Sequence, residues 1–209
     1  MTTNQTMSVH RALAELKTLN DRIEKSVMGA DFIAADRKSA EKVNGLPIED
    51  YEKTIQAGFD KAVSLIERRN LIKEAIVQSN AVTQVTVGGV TMTVAKAIER
   101  KTSIQLEEQL LAMMITRRRE AVNRLTVEND TLPARLEAYL AEILGKKENA
   151  KKEDVELHTK AFLDRNEFVL IDPLHLNRRI EELEERISAF KTDVDAVLSE
   201  SNALTQITI

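Results

Sequence analysis

Residues 79–87 read Ser-Asn-Ala-Val-Thr-Gln-Val-Thr-Val, and residues 201–209 read Ser-Asn-Ala-Leu-Thr-Gln-Ile-Thr-Ile. Six of the nine positions are identical, and the other three exchange one aliphatic side chain for another. Ser and Asn are poor in a helix interior but favourable at a helix end. The residues that follow alternate between two sides and are mostly β-favouring, as in a half-buried strand. Each copy therefore predicts the end of a helix followed by a strand, and the pair predicts an internal duplication of this helix-plus-strand unit.

Apolar stripes with helical spacing precede both copies, and a third stripe lies near the amino terminus. They run from Val9 to Val27, from Tyr51 to Ile76 and from Leu176 to Val197. Apolar residues spaced three and four apart form one face of an amphipathic helix. We expect long helices of about 25–30 residues, extending about 40 Å each. The first covers roughly 8–28, and the second runs antiparallel to it and ends near Ser79.

Turn and capping residues predict the remaining elements. Gly88-Gly89 is a hairpin signal between strands at 81–87 and 90–92, and Thr93 is a plausible N-cap for the next helix. Asn44-Gly45-Leu46-Pro47 predicts a turn. The other expectations are helices at 94–128, from Pro133 to Gly145, at 155–164 and after Asp172-Pro173, a strand at 167–171, and a charged linker at 146–154.

These elements predict a mainly α protein with a small β-sheet, built from long antiparallel helical hairpins. An apolar strand at 203–209 needs a partner, because an unpaired edge invites aggregation. The economical solution is one sheet in which 203–209 joins 81–87 and 167–171. The sequence therefore predicts a first unit at 1–92 and a second at 93–209, which share this sheet within a single compact domain.

The composition excludes several classes of protein. The 209 residues carry a formal charge of −4, so no dominant nucleic-acid or membrane field is expected. The absence of cysteine excludes disulfides, thiolate metal sites and a cysteine nucleophile. No apolar run has membrane-spanning length, and the polar start does not resemble a signal peptide. We expect a cytoplasmic protein without a membrane partner.

The segments 72–104 and 166–209 resemble a family of small, mostly uncharacterised helical proteins encoded by tailed phages and some bacterial genomes. The resemblance rests on helices that end in Asn-x-x-Thr, on the glycine turn, on Thr-Val-Ala-Lys-Ala-Ile-Glu-Arg-Lys at 93–101 and on the closing Leu-Ser-Glu-Ser-Asn-Ala-Leu-Thr. It implies a phage or mobile-element context and an oligomer, and it brings no catalytic residues with it.

The candidate ligand-binding residues lie around the repeated strands. Hydroxyl and amide groups on one face of the predicted sheet could bind a small neutral or anionic molecule. A helix that begins after the Gly88-Gly89 hairpin could receive a phosphate at its exposed N–H groups. The predicted site comprises Thr83, Gln84, Thr91, Thr93, Arg100, Lys101, Thr205 and Gln206. A solvent-facing sheet and a solvated helix face explain the same residues without a ligand.

Other polar clusters give weaker signals. Arg117-Arg118-Arg119 with Arg124 is the densest basic cluster, but neighbouring glutamates and the lack of interleaved aromatics favour ion pairing over nucleic-acid binding. Asp172 and His175 supply only two ligands of a metal site, and a helix cap already explains Asp172. No nucleophile elbow, phosphate loop or metal motif is present in the sequence. We therefore expect no catalytic residues, no metal and no cofactor.

Three functions remain open from the sequence. The first is a non-enzymatic, phage-type oligomeric binding protein that sequesters a nucleotide-like host immune signal. The second is a structural, assembly or scaffold protein of a virion, and the third is an inhibitor that binds a host protein. We also expect a homo-oligomer, because a monomer can hardly cover both sides of such long helices.

Overall fold

The computed structural model describes residues 5–145 and 151–209, so residues 146–150 of the predicted linker lie outside the described part. Six helices and six short strands are found in these two ranges. The helices are α1 (Val9–Met28), α2 (Ile48–Val82), α3 (Val94–Asp130), α4 (Leu132–Leu144), α5 (Lys152–Asn166) and α6 (Leu176–Leu204). The strands are β1 (Thr6–Ser8), β2 (Lys42–Val43), β3 (Leu46–Pro47), β4 (Gln84–Val87), β5 (Val90–Thr93) and β6 (Gln206–Thr208). The fold is therefore mainly α with a small β component, as predicted.

The chain divides into two compact units whose boundaries differ from those predicted. Unit 1 contains the residues up to Thr102 together with Ala189–Ile209, and unit 2 contains Ser103–Ser188. Helices α3 and α6 each contribute one end to unit 1 and the other end to unit 2. The division therefore does not follow the predicted boundary between residues 92 and 93.

The prediction of one shared sheet is wrong. The described residues form three separate two-stranded antiparallel sheets, which pair β1 with β6, β2 with β3, and β4 with β5. Val85 of the first repeat lies opposite Met92, and Ile207 of the second lies opposite Met7. The two repeated strands therefore never pair with each other. Residues 167–172 form no strand, so the third predicted member of the sheet is also absent.

The partner of β6 reveals a second half of the duplication. Residues 6–13 read Thr-Met-Ser-Val-His-Arg-Ala-Leu, and residues 91–98 read Thr-Met-Thr-Val-Ala-Lys-Ala-Ile. Four of these eight positions are identical, and three more are conservative exchanges. Each segment is a short strand that leads directly into a long helix. Each duplicated half therefore begins with a strand that leads into a helix and ends with a helix that leads into a strand.

Matching backbone hydrogen bonds link the two halves. The Val9 N–H donates to the Thr205 carbonyl at 2.9 Å, and the Val94 N–H donates to the Thr83 carbonyl at the same distance. In both sheets the strand that closes one half pairs with the strand that opens the other half. Exchanging the halves would leave this pairing pattern unchanged. The internal duplication is confirmed, but its sister strands do not pair. Instead, the opening strand of each half pairs with the closing strand of the other half, an arrangement called exchanged-strand pairing below.

Side-chain burial repeats with the same register. Four pairs of corresponding positions in β1–α1 and β5–α3 are at most 4% exposed: Met7 and Met92, Val9 and Val94, Ala12 and Ala97, and Leu19 and Ile104. Val85 and Ile207 are likewise both buried. Apolar side chains at such positions drive folding by leaving water. The duplication therefore preserves buried apolar positions in both halves.

The two helices that precede the repeated strands are longer than predicted. They end at Val82 and Leu204 instead of at the Ser-Asn pairs. The N–H of Thr83 still donates to the Ser79 carbonyl at 2.9 Å, so the helical turn continues through Asn80, and Thr83 itself is extended. Asn is tolerated inside a helix as well as at its end, so the residue type alone does not fix where the helix stops. The backbone hydrogen bonds show that Asn80 lies inside α2.

Helices α1 and α2 pack antiparallel in unit 1. Glu15 contacts Arg68 through a 2.9 Å ion pair, whereas Ala30, beyond the end of α1, approaches Gly58 near the start of α2. Residue numbers thus rise along one helix as they fall along the other. The Arg68 guanidinium also donates to the Gln5 side chain at 2.6 Å. This pair of helices is the predicted first hairpin.

Tyr51 anchors the connection between α1 and α2. Its hydroxyl donates to Asp31 at 2.7 Å and accepts from the Asn44 amide at 3.2 Å. The hydrogen bond to the Asp31 carboxylate raises the pKa of Tyr51, because ionisation would remove the donor and add a second negative charge. Asn44 and Gly45 have positive φ angles and form the turn between β2 and β3. The predicted turn is therefore confirmed.

The β4–β5 hairpin packs closely on the middle of α6, at residues that belong to unit 1. Gly88 has a φ of +56°, and an added Cβ would lie 3.0 Å from the backbone of Ala189 and Phe190. The Gly88 N–H donates to the Asp193 carboxylate at 3.2 Å. Only glycine allows both this backbone conformation and this approach. Gly88 is therefore required by the packing as well as by the turn.

Unit 2 is held together by contacts between helices and by the segment that precedes α6. Tyr139 of α4 and Phe162 of α5 stack with ring centroids 5.0 Å apart. Helices α3 and α6 are joined by the 3.5 Å ion pair of Glu107 and Arg186. Asp172 accepts the Leu176 N–H through both carboxylate oxygens, at 3.0 and 2.9 Å. The predicted helix cap is thus confirmed.

Candidate functional site

The predicted ligand-binding residues of the repeated strands are divided between two separate sheets. Thr83, Gln84, Thr91 and Thr93 lie in or beside the β4–β5 hairpin, whereas Thr205 and Gln206 lie beside the β1–β6 sheet. The proposed surface required the two repeated strands to pair side by side. Because those strands belong to separate sheets, the strand pairing on which the predicted surface was based is absent.

Thr91 and Thr93 have structural partners within the protein. The Thr93 hydroxyl accepts the Lys96 N–H at 3.2 Å, which confirms the predicted N-cap, and the Ser8 hydroxyl caps α1 in the same way. The hydroxyls of Thr86 and Thr91 lie 3.1 Å apart across the hairpin. Such caps and cross-strand pairs stabilise local structure without a ligand. The sequence repeat therefore preserves structural roles.

Arg100 and Lys101 also have protein partners. The Arg100 guanidinium lies over the Phe190 ring, 4.5 Å from its centroid, and Lys101 forms an ion pair with Asp195. A cation over an aromatic face and an opposite charge each stabilise a positive side chain where it lies. Both residues join α3 to α6 within unit 1.

A groove on unit 2 is the best candidate site. One wall is the α3 helix between Arg117 and Leu125, and the other is the segment from Phe168 to Asp172. The groove, here called the α3 groove, has a volume of about 680 Å³. Its lining is mostly apolar and includes Ala121, Val122, Leu125, Phe168, Val169, Leu170, Ile171 and Leu176. Polar groups at the groove come from Arg117, Arg118, Glu120, Arg124 and Asp172.

Two contacts with α3 fix the second wall of the groove. The Asn129 side chain donates to the Phe168 carbonyl at 2.9 Å and accepts the Phe168 N–H at 3.0 Å. The Arg124 guanidinium lies 5.6 Å from the centroid of the Phe168 ring. One amide side chain thus takes the place of a neighbouring strand. It holds the segment at a defined distance from α3.

The arginine cluster supplies positive charge along the groove. Arg117 forms a 2.8 Å ion pair with Glu120, as the sequence predicted for part of this cluster. Arg118 lines the α3 groove and also a second cavity of about 570 Å³ between α3 and α6, which Arg119 shares. Guanidinium groups bind phosphates and carboxylates through paired hydrogen bonds. The cluster therefore gives this surface the chemistry of an anion site.

The structure does not support the two-residue metal fragment. Both Asp172 oxygens are engaged by the Leu176 N–H, and His175 adopts a positive φ of 51° in the turn before α6. Across residues 5–145 and 151–209, no three histidine or carboxylate side chains come together in a way that could hold a metal ion. Asp172 therefore acts as a helix cap here.

The sequence contains both components of the α3 groove but does not show that they meet. The arginines were predicted to form ion pairs, and residues 167–171 were predicted to be a strand of a shared sheet. The missing signal was Asn129, which is the penultimate residue of α3 and ties the two segments together. A single Asn carries no sequence pattern that would reveal a contact 39 residues away.

Comparisons with known proteins add no relative. Neither a protein family, nor a curated protein, nor a solved structure matches this chain. Among the residues that the structure describes, none of the helices is both long and apolar enough to cross a membrane.

Proposed function

We propose that the protein is a non-enzymatic binding protein whose α3 groove holds an anionic ligand with an apolar body. The observation that carries this proposal is the lining of the groove, where apolar side chains such as Leu125 and Phe168 adjoin the guanidinium groups of Arg118 and Arg124. Ligand sites commonly have volumes of about 300–1,000 Å³ and combine an apolar lining with a few placed polar groups. The groove, at about 680 Å³, has this size and composition.

A nucleotide-like anion is the ligand class that we favour. Arginine recognises phosphate oxygens through parallel hydrogen bonds. A flat base can lie against apolar and aromatic side chains, which accept any π-face. The resemblance to phage-encoded proteins supports a cytoplasmic setting in an infected host. In that setting the protein would sequester a nucleotide-like immune signal and thereby act against host defence.

Ligand-induced thermal stabilisation tests this proposal. We would measure the melting temperature with cyclic nucleotides, ADP-ribose-type nucleotides, inorganic phosphate and a medium-chain fatty acid. A ligand at about 100 times its dissociation constant stabilises the fold by about 2.7 kcal/mol, and each 1 kcal/mol shifts the melting temperature by about 2–4 °C for a chain of this size. We expect a saturable increase with a nucleotide that exceeds any increase with phosphate alone.

Matched arginine variants locate the site. Arg118→Gln removes a guanidinium from the groove and should weaken the nucleotide response. Arg22→Gln removes an exposed guanidinium from α1 in unit 1 and should leave the response unchanged. No stabilisation by any probe would contradict the proposal. Stabilisation by the fatty acid alone would still support a site for an anionic ligand with an apolar body, but it would refute the nucleotide assignment.

A structural role in a particle is the second candidate. Leu106, Leu110 and Met113 follow one another at helical spacing on α3, and each is at least half exposed. An exposed apolar row of this kind is typical of a surface that packs against another chain. Mass spectrometry of purified phage particles would test this role. Multiple copies per particle would favour it, and absence from particles would refute it.

A further inference from the structure

The segment Phe168–Ile171 has the composition of a strand but lacks a strand partner. Its residues are aromatic or aliphatic, and Val169 and Ile171 are β-branched, which favours extended backbone. Glu167 is extended, and Asp172 precedes a proline, which disfavours helical geometry there. The six assigned strands of the described chain are all paired. Ile171 is nevertheless 92% exposed and Val169 is 69% exposed.

The Asn129 contact determines which edge of this segment is open. In an extended chain, the N–H and C=O groups of alternate residues point to opposite sides. Both backbone groups of Phe168 are directed at Asn129 on α3. The groups of Leu170 then face the same side, and those of Val169 and Ile171 face away from it. The open edge therefore offers two N–H donors and two C=O acceptors.

We propose that a second copy of this chain pairs antiparallel with this open edge, with Leu170 opposite Leu170 of the other copy. In this register, Val169 of each copy lies opposite Ile171 of the other. The two pairs satisfy all four open backbone groups of each copy and form four intermolecular hydrogen bonds. Pro173 lacks an N–H and ends the ladder. The interface is isologous, as in most homodimers.

Charge complementarity favours a second copy over an unrelated strand. The same register places Asp172 of one copy directly opposite Phe168 of the other. Arg124 already lies over the Phe168 ring, so it meets the incoming carboxylate within cross-strand distance. The two-fold axis of the dimer repeats this contact between the other Arg124 and the other Asp172. Each copy therefore supplies both the apolar strand and the opposite charges that pair across the interface.

A single cysteine tests the register directly, because the natural chain has none. Leu170→Cys places two thiols on the two-fold axis at a non-hydrogen-bonded pair, where Cα atoms lie about 4.5 Å apart, within disulfide range. Ile33→Cys is the matched control, since Ile33 is 87% exposed in unit 1. We expect mild oxidation to cross-link the Leu170→Cys variant at least about tenfold faster than the control, because dimerisation holds its two thiols together. Equal rates would overturn the proposed register.

Proline substitutions test the open edge. They should disturb the fold of each copy little, because the segment is exposed. Val169→Pro removes an N–H from the intermolecular ladder twice per dimer and should raise the dimer dissociation constant at least about tenfold. Leu170→Pro removes an N–H that faces away from the ladder and should weaken the dimer less. Light scattering should give twice 23.5 kDa for the natural chain. A monomer at concentrations up to about 100 μM, where micromolar dimers would be populated, would refute the proposal.

The dimer inference goes beyond the proposed ligand and is tested separately from it. Light scattering and cross-linking are measured without any ligand, so loss of the thermal response to nucleotides would leave the dimer intact. A monomer that still responds to nucleotides would refute only the dimer.

Discussion

Alanine at Gly88 tests how the β4–β5 hairpin is seated on α6. Gly88 has a φ of +56°, and a Cβ there would lie 3.0 Å from the Ala189 carbonyl carbon and the Phe190 nitrogen. A non-glycine residue in left-handed geometry costs about 1–2 kcal/mol. Overpacking against backbone that cannot rotate away adds about 1–3 kcal/mol. We therefore expect Gly88→Ala to lower the free energy of unfolding by about 2–5 kcal/mol.

Gly89 provides the matched control. Its φ is +76°, but an added Cβ would meet no atom within 4 Å. Gly89→Ala should therefore cost only the backbone strain, about 1–2 kcal/mol. Urea unfolding followed by circular dichroism would measure both variants, and an unchanged slope would show that the midpoints report stability. Equal losses at the two positions would refute the close packing of the hairpin on α6.

Three further substitutions test other parts of the fold. Tyr51→Phe should reduce stability at neutral pH and also flatten its alkaline dependence: the raised pKa means that the contribution of Tyr51 is complete below its unfolded value of about 10 and is lost as pH rises through the folded value. Thermal melts between pH 7 and 11 would show this, and an unchanged alkaline profile would contradict it. Ala97→Leu and Ala12→Leu should each destabilise unit 1 by about 1–3 kcal/mol in urea unfolding, since both alanines are fully buried at corresponding positions; a large loss at only one would argue against equivalent packing. Asn129→Ala should cost about 1–3 kcal/mol, because it leaves both backbone groups of Phe168 without their partner, and faster hydrogen exchange at Phe168 should accompany it, whereas unchanged exchange would refute the tether.

Much of the helical architecture follows from local sequence. The apolar stripe before Val27 predicts α1 because amphipathic spacing is visible in one window of residues. Gly88-Gly89 predicts its hairpin for a similar reason, since the turn geometry requires positive φ angles that glycine readily adopts. Both features depend on residues that are close along the chain.

Strand pairing was predictable only in part, because it depends on distant residues. The sequence indicated that 203–209 needs a partner but not which segment supplies it. The three residues of β1 are too few to show strand periodicity, and Thr6 lies in a polar stretch. The signal was nevertheless present in the likeness of residues 6–13 to 91–98. The four strands of the duplicated chain can pair in three ways: within each half, sister with sister, or the opening strand of one half with the closing strand of the other. Sequence identity between sister strands does not choose among them.

The candidate site was less predictable from the sequence than either the helices or the strand pairing. Repetition drew attention to Thr83 and Thr205, but their backbone carbonyls accept the N–H groups that open α3 and α1. The α3 groove instead joins arginines of α3 to an apolar segment about 40 residues later in the chain. The three-dimensional contacts of Asn129 and Arg124 with Phe168 bring them together.

Engineered disulfides test the exchanged-strand pairing most directly. We would compare three double-cysteine variants of the cysteine-free chain: Thr6→Cys with Thr208→Cys, Thr86→Cys with Thr91→Cys, and Thr86→Cys with Thr208→Cys. The first two pairs lie opposite each other, with hydroxyl oxygens 3.4 and 3.1 Å apart. The pairing predicts rapid intramolecular disulfide formation in these two variants and none in the third. A disulfide between residues 86 and 208, without one between 6 and 208, would contradict it.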